Sequence, residues 1–159
     1  MAKVKVTTRF RIHELINRFV DGHTANRIGS AIVKEMKQSI SQGISPVRGH
    51  TRFERYKDRT KYPGKIKPAR PVNLNLSGKL VAALGFRQKT PNSLEVGVTE
   101  GTQRERDLAR LHNAGTEHMA MRRIIPQDGE EFTVRIMRVV RELFGQRLHQ
   151  LIKRANEKE

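Results

Sequence analysis

The residues with the greatest capacity for chemistry are six histidines, in a chain that has no cysteine. His112 and His118 are the closest pair, but six positions do not place two ligands on one face of a helix, and Glu117 is the only nearby acid. The spacing favours turn packing or solvent exposure over metal ligation. The lack of cysteine excludes disulfides, thiolate zinc sites, iron–sulfur clusters and a cysteine nucleophile. We therefore predict no metal and no cofactor.

Catalytic patterns are also lacking. Ser77-Gly78-Lys79 is similar to the end of a phosphate-binding loop, but residues 72–76 lack its first glycine, so Ser77 is better interpreted as a helix cap. A nuclease would need clustered carboxylates for Mg²⁺, whereas the acids here are few and lie mostly on predicted helix surfaces. No Ser-His-Asp arrangement can be singled out. The sequence predicts a protein that is not an enzyme.

The 159 residues carry 32 Lys and Arg against 16 Asp and Glu, a formal net charge of +16. Residues 45–72 contribute nine bases and two acids, together with four of the six prolines. Prolines at this density exclude a long helix or a central strand. We predict an extended basic arm that contacts a partner, with three aromatic residues as anchors, and keep a solvated loop as the alternative. The predicted contact residues are Arg48, Arg52, Phe53, Arg55, Tyr56, Lys57, Arg59, Lys61, Tyr62, Lys65, Lys67 and Arg70.

The length favours a single domain over residues 1–159, into which the arm is inserted. No apolar run is long enough for a membrane span, and the N-terminus lacks the apolar stretch of a signal peptide, so we expect a protein made and kept in the cytoplasm and no membrane partner. Around the arm, periodicity predicts an α+β fold: a small, mostly antiparallel sheet packed against two or three helices, with a long C-terminal amphipathic helix and a long basic loop.

The first half of the chain predicts a short strand over 3–7 and a short helix over 10–20. Thr24 can cap a second helix, whose apolar residues recur every fourth position from 28 to 40 and which Gly43 terminates. After the arm, Ser77 can cap one or two turns over 79–84, with Gly85 as the stop. Strands over 86–89 and 94–98 form a hairpin.

The second half predicts a helix over 103–113 with Leu108 and Leu111 facing inward, and then a strand over 119–125 that returns to the sheet. Residues 128–131 are typical of a capping box for the final helix, whose apolar stripe covers about five turns. Gly145 interrupts this helix and indicates a bend or the close approach of a neighbour.

Four short motifs follow one another in the C-terminal half: Asn-Leu-Ser-Gly-Lys-Leu at 75–80, Leu-Glu-Val-Gly-Val at 94–98, Leu-Ala-Arg-Leu-His-Asn-Ala-Gly-Thr at 108–116, and Met-Ala-Met-Arg-Arg-Ile-Ile-Pro at 119–126. Their order and spacing resemble the virion-morphogenesis and tail-completion proteins of tailed bacteriophages, over roughly residues 74–155. The chain departs from the family at 120–124, where Pro-Ala-Arg-Pro-Phe is common, and in its long basic arm.

The resemblance implies a non-enzymatic subunit of a homo-oligomeric ring in the neck or tail end of a virion, which joins head to tail or completes the tail. The implied partners are further copies of the chain, adjacent connector, tail-terminator or tail-tube proteins, and DNA in a central channel; the implied location is the virion, after assembly in the host cytoplasm.

The motif residues themselves suggest structural roles. Gly115 would allow a left-handed turn, with His112 and Thr116 hydrogen-bonding it to its neighbours. Arg123 would lie beside the sheet edge, facing a carboxylate of another subunit, and Pro126 would close the strand.

The alternative from another class is a free, non-specific nucleic-acid-binding protein whose arm contacts phosphates. No helix-turn-helix, zinc finger or aromatic RNA-binding strand accompanies the charge, which argues against sequence-specific recognition.

Overall fold

The computed structural model describes residues 22–54, 74, 78–90, 93–117 and 119–156. The α+β prediction is confirmed: an antiparallel pair of strands packs with four helices, the last of which is long. The strand predicted over 3–7 and the helix predicted over 10–20 lie outside the described residues. The elements in chain order are α1 (Gly22–Ser41), α2 (Lys79–Ala82), β1 (Leu84–Thr90), β2 (Ser93–Val98), α3 (Gln103–Ala114) and α4 (Val134–Asn156).

Helix α1 supplies one side of the core through its apolar residues four positions apart. Ile28, Ile32, Met36 and Ile40 are all buried, as the spacing predicts. Thr24 is not the cap, because the helix begins at Gly22 and Thr24 is buried within its first turn.

The strands β1 and β2 form the predicted hairpin, with Leu84 opposite Val98 and Phe86 opposite Val96. A Cβ atom at Gly29 of α1 would clash with the Phe86 ring, so this glycine lets the helix lie close against the hairpin. The sheet formed by the described residues has these two strands alone.

The short helix α2 differs from the prediction at both ends. Its N-cap position is Gly78, which has a φ of 73° and offers no side chain, while Ser77 lies outside the described residues. Gly85 does not stop the helix. It lies in β1, because the chain passes from Ala82 to the strand at Leu84 within two residues.

Helix α3 presents a different face to the core from the one predicted. Leu108 and Leu111 are 37% and 45% exposed, so their inward orientation was wrong. The buried residues are Ala109, His112 and Asn113. Hydrogen bonds made by the end of the helix, rather than its leucines, select the face that is buried.

The strand predicted over 119–125 is also wrong. Its main chain bonds to the end of α3, and Thr116 and Met119 form only an isolated bridge. The acids of 128–131 do not cap α4, which begins at Val134. Phe132 instead bridges Val47 and is buried.

Helix α4 completes the core by packing against α1, with Ile136 and Val140 buried. At its start, Nε of Arg135 lies 2.7 Å from a carboxylate oxygen of Glu35, and an Nη atom of Arg135 donates to Gln38 at 3.0 Å. Because these partners lie near the end of α1, the final helix runs back along α1. Gly145 has no neighbour within 4 Å of the position of a Cβ atom among the described residues, so the predicted close approach is absent from this part of the chain.

Candidate functional site

The family-motif residues meet where the end of α3, the segment 120–130 and the turn at 43–54 come together. We call this region the polar joint and define it by six residues that are buried or partly buried: His112, Asn113, Gly115, Arg122, Arg123 and Glu130. Two of them, Asn113 and Arg122, were not singled out from the sequence.

Asn113 is the centre of the polar joint and is 4% exposed. Its Nδ2 donates to the carbonyl of Ile125 at 2.6 Å, and its Oδ1 accepts from the main-chain N–H of Ile124 at 2.8 Å. One side chain thus performs the pairing that a neighbouring strand would provide, which explains why 119–125 is extended without belonging to the sheet.

Arg122 is 1% exposed and is among the largest fully buried side chains of the described residues. Its Nε and an Nη atom donate to the carbonyl of Glu54 at 3.2 and 3.0 Å, and the other Nη donates to the carbonyl of Ala120 at 3.3 Å. Carbonyl dipoles replace the water that this guanidinium loses on burial. Arg122 therefore ties the segment before α4 to the last described residue before the basic stretch.

Arg123 points to a carboxylate of its own chain. Its Nε lies 3.1 Å from Oε1 of Glu130, and an Nη atom donates to the carbonyl of Asn113 at 2.8 Å. The arginine was expected to face a carboxylate of another subunit, and that expectation was wrong for this side chain, which is only 16% exposed.

His112 is buried, and its burial, followed by the charge of Arg122, lowers its pKa to about 4. The imidazole is therefore neutral at pH 7. Its carbonyl accepts the Arg122 N–H at 2.6 Å, so His112 holds the turn through its main chain. Its Nδ1 has no hydrogen-bond partner among the described residues.

Gly115 ends α3 in the left-handed conformation that the sequence predicts, with φ 72°. A Cβ here would lie 2.9 Å from the main-chain nitrogen of Met121, so the following segment passes directly against the glycine. The main chains of Thr116 and Met119 then exchange hydrogen bonds of 2.8 and 3.1 Å. Pro126 is buried and leads away from the polar joint.

The first part of the predicted arm is packed against the body. Pro46 and Val47 are fully buried, and Ser45 Oγ donates to the carbonyl of Arg123 at 2.7 Å. Phe53 is 9% exposed and belongs to the core. It was expected to anchor a partner, but it anchors the chain to its own body.

The two basic residues of this part lie at the surface. Arg48 pairs with Glu131 at 2.9 Å, with both side chains about two-thirds exposed, so the pair adds little to stability. Arg52 is exposed and its main chain bridges Ile44. The other nine predicted contact residues lie outside the described residues: Arg55, Tyr56, Lys57, Arg59, Lys61, Tyr62, Lys65, Lys67 and Arg70.

The outer side of the polar joint is apolar. Leu108, Leu111 and Met121 are between 37% and 45% exposed. Leu111 precedes Gly115 by one helical turn, and Met121 lies against that glycine, so these side chains form a surface that we call the outer patch. Exposed apolar residues grouped in this way are typical of protein–protein contacts.

The chain shows no match to any family model, curated protein or solved structure with which it was compared. Within the ranges that the structure describes, no His, Asp and Glu group is arranged to hold a metal ion. No helix among these residues is both long and apolar enough to cross a membrane.

Proposed function

We propose that this chain is a non-enzymatic structural subunit of a tailed-phage virion, which forms a ring at the neck or tail end and joins head to tail or completes the tail. The resemblance of residues 74–155 supplies the proposal, and one structural observation supports it most strongly. The polar groups of the motif are used within the chain, while the apolar residues of the same motif are exposed in the outer patch.

The hydrogen bonds of the polar joint suit a part that must hold its shape under load. Asn113 and Arg122 link segments that are far apart in sequence, and they do so through buried main-chain carbonyls. Networks that are buried and satisfied fix one arrangement of the backbone. A subunit of a closed ring needs such rigidity, because each copy must present the same two faces to its neighbours.

The outer patch is the surface that we assign to the contact between subunits. Leu111 is its most central member and is 45% exposed. Leu111→Asp should therefore abolish oligomers in light scattering of the full-length protein. Arg106→Ala is the matched control, because it lies on the same helix, is exposed, and lowers the net charge by the same one unit. Equal loss in both variants, or oligomers that survive Leu111→Asp, would contradict the assignment.

The nucleic-acid alternative makes a different prediction in solution. A monomer that binds random duplex DNA tightly, with an affinity that falls steeply as salt rises, would favour it. The ring proposal expects weak duplex binding by the isolated subunit and oligomers that persist without DNA. Measuring both properties on one preparation separates the two functions.

A further inference from the structure

The C-terminal half of α4 carries an apolar stripe that the described core does not cover. The first half of the helix buries Ile136 and Val140, whereas Leu148 and Ile152 are 38% and 51% exposed. The residues of the stripe follow helical spacing (Phe144, Leu148, Leu151 and Ile152), so they share one side of the helix.

The position of this stripe along α1 follows from the contact between Arg135 and its partners Glu35 and Gln38. Since α4 runs back along α1 and both helices rise 1.5 Å per residue, positions 148–152 are about level with positions 18–25. Helix α1 begins at Gly22. The exposed stripe therefore lies at the end of the body where the described chain starts.

Twenty-one residues precede Gly22, and part of their sequence has the composition of an occupant. Ile12, Leu15, Ile16 and Phe19 recur with the i, i+3, i+4, i+7 spacing of an amphipathic helix. Phe10 and Val20 add to the same apolar content. A segment of this kind can bury its own apolar side only against another apolar surface.

We propose that the apolar stripe of residues 10–20 docks on Leu148, Leu151 and Ile152 of the same chain, extending the core along the C-terminal half of α4. The tether decides between this occupant and a second copy. A segment joined to Gly22 by a few residues has an effective concentration in the millimolar range, far above that of another molecule at micromolar concentration. This inference does not depend on the proposed function.

Cross-linking of introduced cysteines tests the proposal without background, because the natural chain has none. Ile16→Cys is combined with Ile152→Cys in the full-length protein and treated with a short bismaleimide. The control pair combines Ile16→Cys with Val134→Cys. Val134 is also an exposed apolar residue of α4, at 56%, but it lies about 27 Å further along the helix.

The expected result is a cross-link within one chain for the Ile152 pair and its loss in the control pair, seen as a monomer of altered mobility on a denaturing gel. Adding Phe19→Asp to the Ile152 pair should reduce the intrachain product strongly. Cross-linked dimers in place of the intrachain product would assign the stripe to a second copy. That outcome, or equal products from both pairs, or no product, would overturn the proposal.

Discussion

The guanidinium of Arg122 donates two hydrogen bonds to the main-chain carbonyl of Glu54, 68 positions earlier in the chain. Glu54 is the last described residue before the most basic stretch of the sequence, and Phe53 beside it is buried in the core. The basic stretch therefore leaves the body from a fixed point. This arrangement lets a charged segment reach a partner while the body that carries it stays rigid.

Arg122→Met should destabilise the subunit, because the Glu54 carbonyl would lose both of the donors that Arg122 supplies. An unsatisfied buried carbonyl costs about 1–3 kcal/mol, which chemical denaturation can measure. Arg138→Met is the control, since it makes the same chemical change at an exposed position of α4. Equal stability of the two variants would show that the buried guanidinium contributes nothing beyond packing.

Acidification should destabilise the fold through His112. Its pKa is about 4 in the folded chain against 6.5 for the ordinary group, so the unfolded chain takes up a proton first as the pH falls. The stability associated with neutral His112 is complete above pH 6.5 and declines towards pH 4, by about 3 kcal/mol at 1.36 kcal/mol per unit. The difference in pH dependence between the natural chain and His112→Gln isolates this effect. Parallel pH profiles would contradict it.

Gly115→Ala should cost more than Gly129→Ala. Both glycines have positive φ, 72° and 83°, so each alanine carries a conformational penalty of about 1–2 kcal/mol. Only at Gly115 would the new Cβ press against the main chain of Met121; nothing lies within 4 Å at Gly129 among the described residues. Thermal unfolding of the two variants measures the extra cost directly. Identical melting temperatures would mean that the segment at Met121 moves aside freely.

Deletion of the basic stretch should have opposite effects depending on where it begins. Removing 48–70 takes away Phe53 and the Glu54 carbonyl, so we expect that variant to unfold. Replacing 56–72 by a Gly-Ser linker leaves both in place and should give a folded subunit that no longer assembles with its partners. Circular dichroism reports the fold of each variant. A folded 48–70 deletion would show that Phe53 is not needed by the core.

The helices and the hairpin could be predicted from the sequence because their signals are local. The fourfold spacing from Ile28 to Ile40 and the strands on either side of the turn at 90–93 depend only on neighbouring residues. The end of α3 at Gly115 followed from the need for a positive φ, which few other residues tolerate.

The polar joint could not be predicted in the same way, because long-range hydrogen bonds decide it. Segment 119–125 has the composition of a strand, yet Asn113 takes the place of its partner strand. Leu108 and Leu111 were assigned to the core on hydrophobicity, while burial of His112 and Asn113 turned the leucines outward. Arg122 gave no local signal, since burial of an arginine depends on carbonyls supplied by distant segments.

Electron microscopy of tailed virions that contain an epitope-tagged copy of this chain tests the central claim most directly. The account predicts that antibody label collects at one station, the neck or the tail end, and that averaged images show a closed ring of copies there. Label that is missing from purified particles, or a chain that remains monomeric and bound to nucleic acid in the lysate, would contradict it.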